Sequence, residues 1–367
     1  MNKMVFANLV HRPIRSLISI FAIALEVTLI LLIVWLSLGM LNDARNRQEG
    51  IGADVIVQPP NSSFITGLSS APVPIKAGEI IRRLPHVTQV SPVITMVSTA
   101  GSVEVIFGID LKSFESLGAP FHYIAGGPFQ GSDDVLVDDY FARAQHERVG
   151  DTIAILNHKF RIAGIVEHGK GARKFLPITT LQDLMGSPGK ASVFYVKLDD
   201  PANADAVVTE VKGVPGMEQY QVRSSREFLS MMTPANYPGL SIFINTVIFI
   251  SVIVGVLVIF QAMYTAVMER TREIGILKAI GASKFYIVNA ILRETTLLAI
   301  AGIIVGIGFS WAASAVIAYR LPTLQIVPVW GWVGKAALIA ILSAIAGALY
   351  PAYKAAQKDP IDALAYE

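Results

Sequence analysis

The sequence predicts an α-helical membrane protein: four transmembrane helices, with one large α+β extracytoplasmic domain between the first and the second. Three observations carry this. The chain is 53% hydrophobic and only 16% charged, with a mean hydropathy of +0.54, where soluble chains carry about 25% charged residues. The excess is gathered into four runs near the ~20 apolar residues that a bilayer-spanning helix needs. Between the first and second runs lies a more polar stretch, residues 42–239, long enough for a core of its own. A wholly soluble enzyme, a disordered chain and a disulfide scaffold are excluded. With no cysteine there are no thiolate metal sites or thiol nucleophiles, and a net charge of +2 is too small to imply a nucleic-acid partner.

Residues 1–15 form an amphipathic N-terminal segment carrying Lys3, Arg12 and Arg15 and no acid. The first span, 16–41, has Glu26 as its only charge. It is longer than a signal-peptide core and no small-x-small site closes it, so it reads as a retained anchor. In the domain, Ala53–Gln58 alternates like a strand. Lys76–Leu84 reads as a helix stopped by Pro85, and Val87–Val97 and Val103–Ile109 as strands. Ser192–Leu198, Ala202–Lys212 and Gln219–Arg223 repeat a β-α-β order. The β-rich stretch at about 111–189 lies between these halves, a domain inserted within a split domain. Within it, Thr152–Leu156 and Phe160–Val166 form a hairpin about an Asn157-His158 turn. Met231, Met232, Pro234 and Pro238 then make a hinge or a plain bend before the second span.

The second span, 240–268, is uncharged, and the third covers 295–319. A short outer loop, 320–335, bears Trp330 and Trp332, which suit a headgroup interface. The fourth span is 336–353 and the tail 354–367. Residues 42–239 hold 18 basic and 21 acidic residues, and the remainder 12 and 7. The positive-inside rule therefore puts both termini and the 269–294 loop in the cytoplasm and the large domain outside.

No G-x-x-x-x-G-K-[ST] phosphate loop, H-E-x-x-H or G-x-S-x-G occurs, so no catalysis and no cofactor is expected of this chain. His158 and His168 near the hairpin, and the pairs Asp133-Asp134 and Asp138-Asp139, are the nearest approach to cation ligands. Solvated loop and cap roles fit them better.

The 269–294 loop carries the strongest pattern. Glu269, Arg270, Arg272, Glu273 and Lys278 set charges around Ile274, Leu277 and Ile280, which recur every three residues. This predicts a short amphipathic helix ended by a left-handed cap at Gly281, with Ser283 as N-cap of the next helix. It is either an interfacial helix resting in headgroups or a rigid lever that docks on a cytosolic partner. Small residues at Gly302-x-x-x-Gly306 and Ser251-x-x-x-Gly255 predict close helix packing, within the bundle or in a dimer contact.

MERTREIGILKAIGAS at 268–283 resembles the signature loop of MacB/FtsX-type ABC transporter permeases, and YPAYKAAQKDPIDALAYE at 350–367 resembles their closing motif. The resemblance is close over 240–367 and looser before it. It implies a bacterial inner-membrane permease subunit working as a dimer, homodimeric by expectation. Two cytoplasmic ABC ATPase subunits would bind ATP and Mg and dock on Glu269–Gly281. It further implies a periplasmic adaptor as a candidate partner, membrane lipid around the spans, and export or extraction of an amphiphile, lipid, lipoprotein or peptide. The alternative is an FtsX-like transmitter that activates an outer partner and carries nothing. The sequence departs from the pattern in showing no fused nucleotide-binding domain, so the ATPase is expected on a separate chain. Ala365-Tyr366 replaces a frequent basic residue, and Glu26 stands where small or apolar residues are usual.

Glu26 lies 11 residues past Arg15, about 16 Å along a helix. A carboxyl there must face the bundle interior. Gln261, about 12 Å deep from Glu269, is its candidate hydrogen-bond partner, with Tyr264 a second. A packing hydrogen bond, a contact with an amphiphilic substrate and a water-lined path all remain open for Glu26.

Overall fold

The computed structural model describes residues 13–62, 72–98, 104–237 and 239–358. Residues 1–12, Pro238 and the tail from 359, with Ala365 and Tyr366, lie outside them. Helix α1 runs Pro13–Glu49. It is followed by β1 (Val55–Gln58), β2 (Val73–Pro74), α2 (Lys76–Ile81), β3 (Val87–Ser98), β4 (Glu104–Ile109) and α3 (Leu111–Glu115). Next come β5 (Tyr123–Gly126), β6 (Asp134–Asp138), α4 (Asp139–Gln145), β7 (Thr152–Ile155), β8 (His158–Val166), β9 (Lys174–Pro177) and α5 (Ile178–Leu184). The domain closes with β10 (Lys190–Ala191), β11 (Val193–Leu198), α6 (Ala204–Lys212), β12 (Gln221–Ser224) and α7 (Ser225–Met231). Helices α8 (Leu240–Glu269), α9 (Thr271–Ala279), α10 (Lys284–Arg320) and α11 (Trp330–Gln357) complete the described chain.

Two compact units result: a helical one (Met1–Gly39, Pro238–Tyr319 and Ile326–Glu367) and a sheet unit (Met40–Tyr237 and Arg320–Gln325). The sheet has ten strands in the order β12-β1-β11-β3-β4-β9-β6-β8-β5, with β7 on β8. The split domain and its insertion thus share one sheet. They meet where β4 runs parallel to β9, Ile106–Ile109 beside Lys174–Pro177. Strand alternation feeds separate cores. Val55 and Val57 pack with Phe194, Val207 and Val211 under α6, while Ile56 faces Phe107, Phe114, Phe175 and Tyr195 on the other side. The insertion closes around Val135, Val137, Phe160, Ile162 and Leu181.

The hairpin turns one residue earlier than the sequence suggests. His158 pairs with Ile155, so Leu156 and Asn157 make the turn, with φ of 50° and 61°. A two-residue hairpin loop of this kind needs positive φ at both positions. Asparagine tolerates that readily. Leucine does not, which is why the sequence signal pointed past it.

In the helical unit, α1, α8, α10 and α11 are each long and apolar enough to cross a membrane. Ala336, Ala340, Ala344 and Ala348 form a fully buried stripe along α11, and Gly347 lies so close to α8 that a Cβ would fall 2.6 Å from the Val256 carbonyl oxygen. Gly302 and Gly306 of α10 meet α1 in the same way, a Cβ at either falling 2.7 Å from Ile23 or Ala24. Thr28 Oγ1 donates to the Gly306 carbonyl at 3.1 Å across that seam. Both glycines therefore serve packing within the chain.

Candidate functional site

The loop between α8 and α10 folds as the short helix α9, and its ends are built from the residues the pattern marks. Gly281 has φ of 99°. Its N–H donates to the Lys278 carbonyl at 3.0 Å and that of Ala282 to the Leu277 carbonyl at 2.9 Å. These are the two bonds of a Schellman C-cap. Ser283 Oγ then accepts from Tyr286 N at 3.2 Å and starts α10. The corner between the helices is thus fixed by backbone chemistry that glycine makes accessible.

Two side chains clamp α9 to its neighbours. At its start Arg270 donates to both carboxylate oxygens of Glu294 on α10, at 3.0 and 3.3 Å, with both side chains largely buried. At its end Lys278 donates to the carbonyls of Ala356, at 3.0 Å, and of Lys358, capping the close of α11. Between these points Ile274 packs over a small core of Val267, Ile287, Ala355 and Ala356. Ile274 and Leu277, with Met263 and Ile291, line an apolar crevice between α8, α9 and α10.

Glu269, Arg272, Glu273, Ile280 and Gly281 point outward. Ile276 (47%), Ile280 (77%) and Phe285 (77%) are exposed apolar side chains on the two sides of the corner. The three-residue rhythm thus splits: Ile274 and Leu277 face inward, while Ile280 joins Ile276 on the opposite side. Ile276 and Phe285 were missed by that rhythm, though the four-residue spacing of Ile276 and Ile280 is the helical signal that finds the first of them. Glu294 was passed over as the residue before a span.

Within the bundle, Glu26 is buried, and Ser343 Oγ of α11 lies 2.9 and 3.0 Å from its two carboxyl oxygens. The expected pairing with Gln261 does not form: Gln261 is exposed. The reason is helical phase. Gly255 is the α8 residue against Glu26, since a Cβ there would lie 2.1 Å from Oε2. Gln261, six residues on, points about 240° away around the helix. Tyr264 instead stacks with Phe260.

The acidic pairs of the sheet unit are taken up by protein partners. Asp134 accepts from the amides of Gln130 and Gly131 and from Arg161. Asp138 caps α4 through Phe141 N and pairs with Arg173 at 3.0 Å. Burial pushes its carboxyl up to about 6 although Arg173 pulls the other way. Asp139 holds Arg143 and His168, and Asp133 holds His158.

Comparison with known proteins assigns the family. Residues 16–214 match the family described as the MacB-like periplasmic core domain, and residues 245–360 the FtsX-like permease C-terminal domain. The chain belongs to the MacB/FtsX-type ABC permeases. Among curated relatives, this permease is 26% identical over 388 residues to the macrolide export ATP-binding/permease protein MacB of Shewanella sp. (strain W3-18-1), covering 97% of this chain and 59% of that protein. MacB of Neisseria meningitidis serogroup A is 25% identical over 392 residues, covering 98% and 60%. The permease thus spans about 60% of the length of these relatives. Among solved structures, the periplasmic region of MacB from Actinobacillus actinomycetemcomitans aligns at 15% identity and a TM-score of 0.39, over 50% of this chain and 94% of that one. The extracellular domain of the noncanonic ABC-type transporter YknZ aligns at 13% and 0.36, over 47% and 98%.

Proposed function

We propose that this chain is the permease of a MacB-like ABC transporter. An ABC ATPase seats on α9, and its cycle drives the sheet domain to export or extract an amphiphile, lipid, lipoprotein or peptide. The observation that carries this reading is the fixation of α9. Arg270 and Lys278 tie it to α10 and α11, the Schellman corner sets its exit, and Ile276, Ile280 and Phe285 stay free for a partner. A helix merely resting in headgroups needs no such clamps. ATP and Mg belong to the ATPase. The permease works in the bacterial inner membrane as one of two copies, with α9 and both termini in the cytoplasm and the sheet domain outside.

The bundle itself offers little to a hydrophilic cargo. Alanine and glycine contacts close it, and Glu26 with Ser343 is a buried ionisable contact within it. The work is therefore done on the outer face. That same observation favours a second reading, an FtsX-like transmitter that activates an outer partner without transport. Purifying the tagged permease in mild detergent and identifying what accompanies it separates the two. A stoichiometric ABC ATPase with a periplasmic adaptor supports export, an ATPase with a cell-wall enzyme supports transmission, and repeated absence of any ATPase refutes both.

A further inference from the structure

Helix α8 spans 30 residues, about 45 Å, and is the least covered of the four spanning helices. Its buried side, with Ser251, Gly255, Ile259 and Met263, serves the bundle. Its other side follows a different period. Phe243, Ile250 and Leu257 recur every seven residues and are each at least half exposed. Val247, Val254 and Gln261 recur at the same period, four residues after each of them. Alternating steps of four and three make a heptad seam, the pattern of two helices wound left-handedly about each other.

Gln261 is the polar member of that seam. The midpoint of α8 falls beside Gly255, and Gln261 lies six residues on, about 9 Å away. That is inside the hydrocarbon core, whose half-thickness is ~15 Å. The side chain is exposed, and its carboxamide has no hydrogen-bond partner among the described residues; the bond from Thr265 Oγ1, 2.9 Å, goes to its backbone carbonyl. Lipid tails offer an amide nothing to bond to, and polar groups at this depth turn toward protein. Exposed positions on the other spans, such as Leu29 of α1, Ile304 of α10 and Leu342 of α11, carry apolar side chains.

Hydrogen-bond complementarity selects the occupant. A carboxamide carries both donors and an acceptor, so it is complementary to a second carboxamide. A two-fold interface uses the same patch on both subunits. Two copies inserted the same way in one membrane present parallel α8 helices, in which equivalent positions of the seam face each other. Val247 and Val254 at one heptad position, with Leu257 at the other, suit a two-stranded seam. One polar residue at the valine position fixes its register and the number of helices. Side-chain amides of this kind hydrogen-bond across helices within membranes.

We propose that α8 is the seam at which a second copy of this chain packs, with the two Gln261 carboxamides hydrogen-bonded to each other and Leu257 and Val254 interlocked beside them. This rests on the reading of the permease as one of two copies and says where they touch. It holds whether the permease exports cargo or transmits a signal.

The chain has no cysteine, so Val254→Cys and Leu257→Cys each give a single thiol on the seam and leave Gln261 in place. Leu29→Cys and Ile304→Cys are exposed controls on other spans. Each full-length variant is oxidised in native membranes and the disulfide-linked dimer is followed in time. The seam positions should cross-link at least tenfold faster than the controls. Self-association is then read by energy transfer in lipid vesicles at graded protein-to-lipid ratios, with dyes on exposed Lys212→Cys. Gln261→Leu should need at least a threefold higher ratio for half-dimerisation, and Gln261→Asn, which keeps the amide, a smaller increase. A dimer that cross-links at Leu29→Cys or Ile304→Cys as fast as at the seam, or that is unchanged by Gln261→Leu, overturns the proposal and leaves the two-copy reading standing. Adducts of Leu257→Cys with a different membrane protein in place of the dimer also overturn it. A permease that stays monomeric at every ratio overturns both.

Discussion

Gly255 is the position where a single methyl group reports on the buried carboxyl. A Cβ built there lies 2.1 Å from Glu26 Oε2 and 2.6 Å from Cδ, and Glu26 atoms are its three nearest neighbours. In Gly255→Ala, therefore, Glu26 must swing away and give up its contacts with Ser343 at 2.9 and 3.0 Å. Overpacking costs about 1–3 kcal/mol and stranding a buried polar group about 1–3 kcal/mol, so the variant should lose about 2–6 kcal/mol. In a Glu26→Ala background the clash disappears. Alanine at 255 should then be neutral or stabilising, since glycine in a helix costs about 1 kcal/mol relative to alanine. The assay is a double-mutant cycle on thermal unfolding in detergent, followed by tryptophan fluorescence. Trp35 is fully buried in the core that α1 shares with α8 and α11. A coupling of about 2 kcal/mol or more is expected. Additive effects would refute the placement of Glu26 against Gly255.

Three further outcomes follow from the geometry. Gly281→Val forces a β-branched residue into a φ of 99°. It should destabilise the corner by about 1–2 kcal/mol and lower transport or signalling per ATP hydrolysed; unchanged coupling in reconstituted vesicles would contradict the cap. Asp138 titrates at about 6 in the folded chain, raised by burial from 3.8, so the folded state holds this proton more tightly than the unfolded state. Its contribution is full below about pH 4 and is lost as pH rises through 6. The stability of wild type relative to Asp138→Asn should fall by about 2–3 kcal/mol over that window, read by hydrogen exchange in β6 after correction for intrinsic rates. Lys278→Ala removes the donor to the Ala356 and Lys358 carbonyls and should raise exchange in α9 several-fold while leaving α8 unchanged.

Hydropathy made the helical unit legible, because a span needs only length and composition. The corner of the loop was legible too, since Gly281 and Ser283 act on backbone groups a few residues away. What escaped was contact between distant residues. Ser343 is an ordinary small residue in an apolar run, and nothing local says that it faces Glu26 across the bundle. Gln261 looked the better partner by depth, and only the phase set by Gly255 shows otherwise. The single sheet was hidden because its junction, β4 beside β9, joins strands some 70 residues apart through a parallel pairing that leaves no turn signal.

The central claim is that the end of α9 and the start of α10 present Ile276, Ile280 and Phe285 to an ABC ATPase. The direct measurement is site-specific photocrosslinking in cells, with the reactive residue placed at 280 and, as control, at exposed Leu257 on α8. The account predicts that position 280 captures an ABC ATPase as its principal protein adduct and position 257 does not. Capture at neither position, or equally at both, with the permease assembled in the membrane, would contradict it.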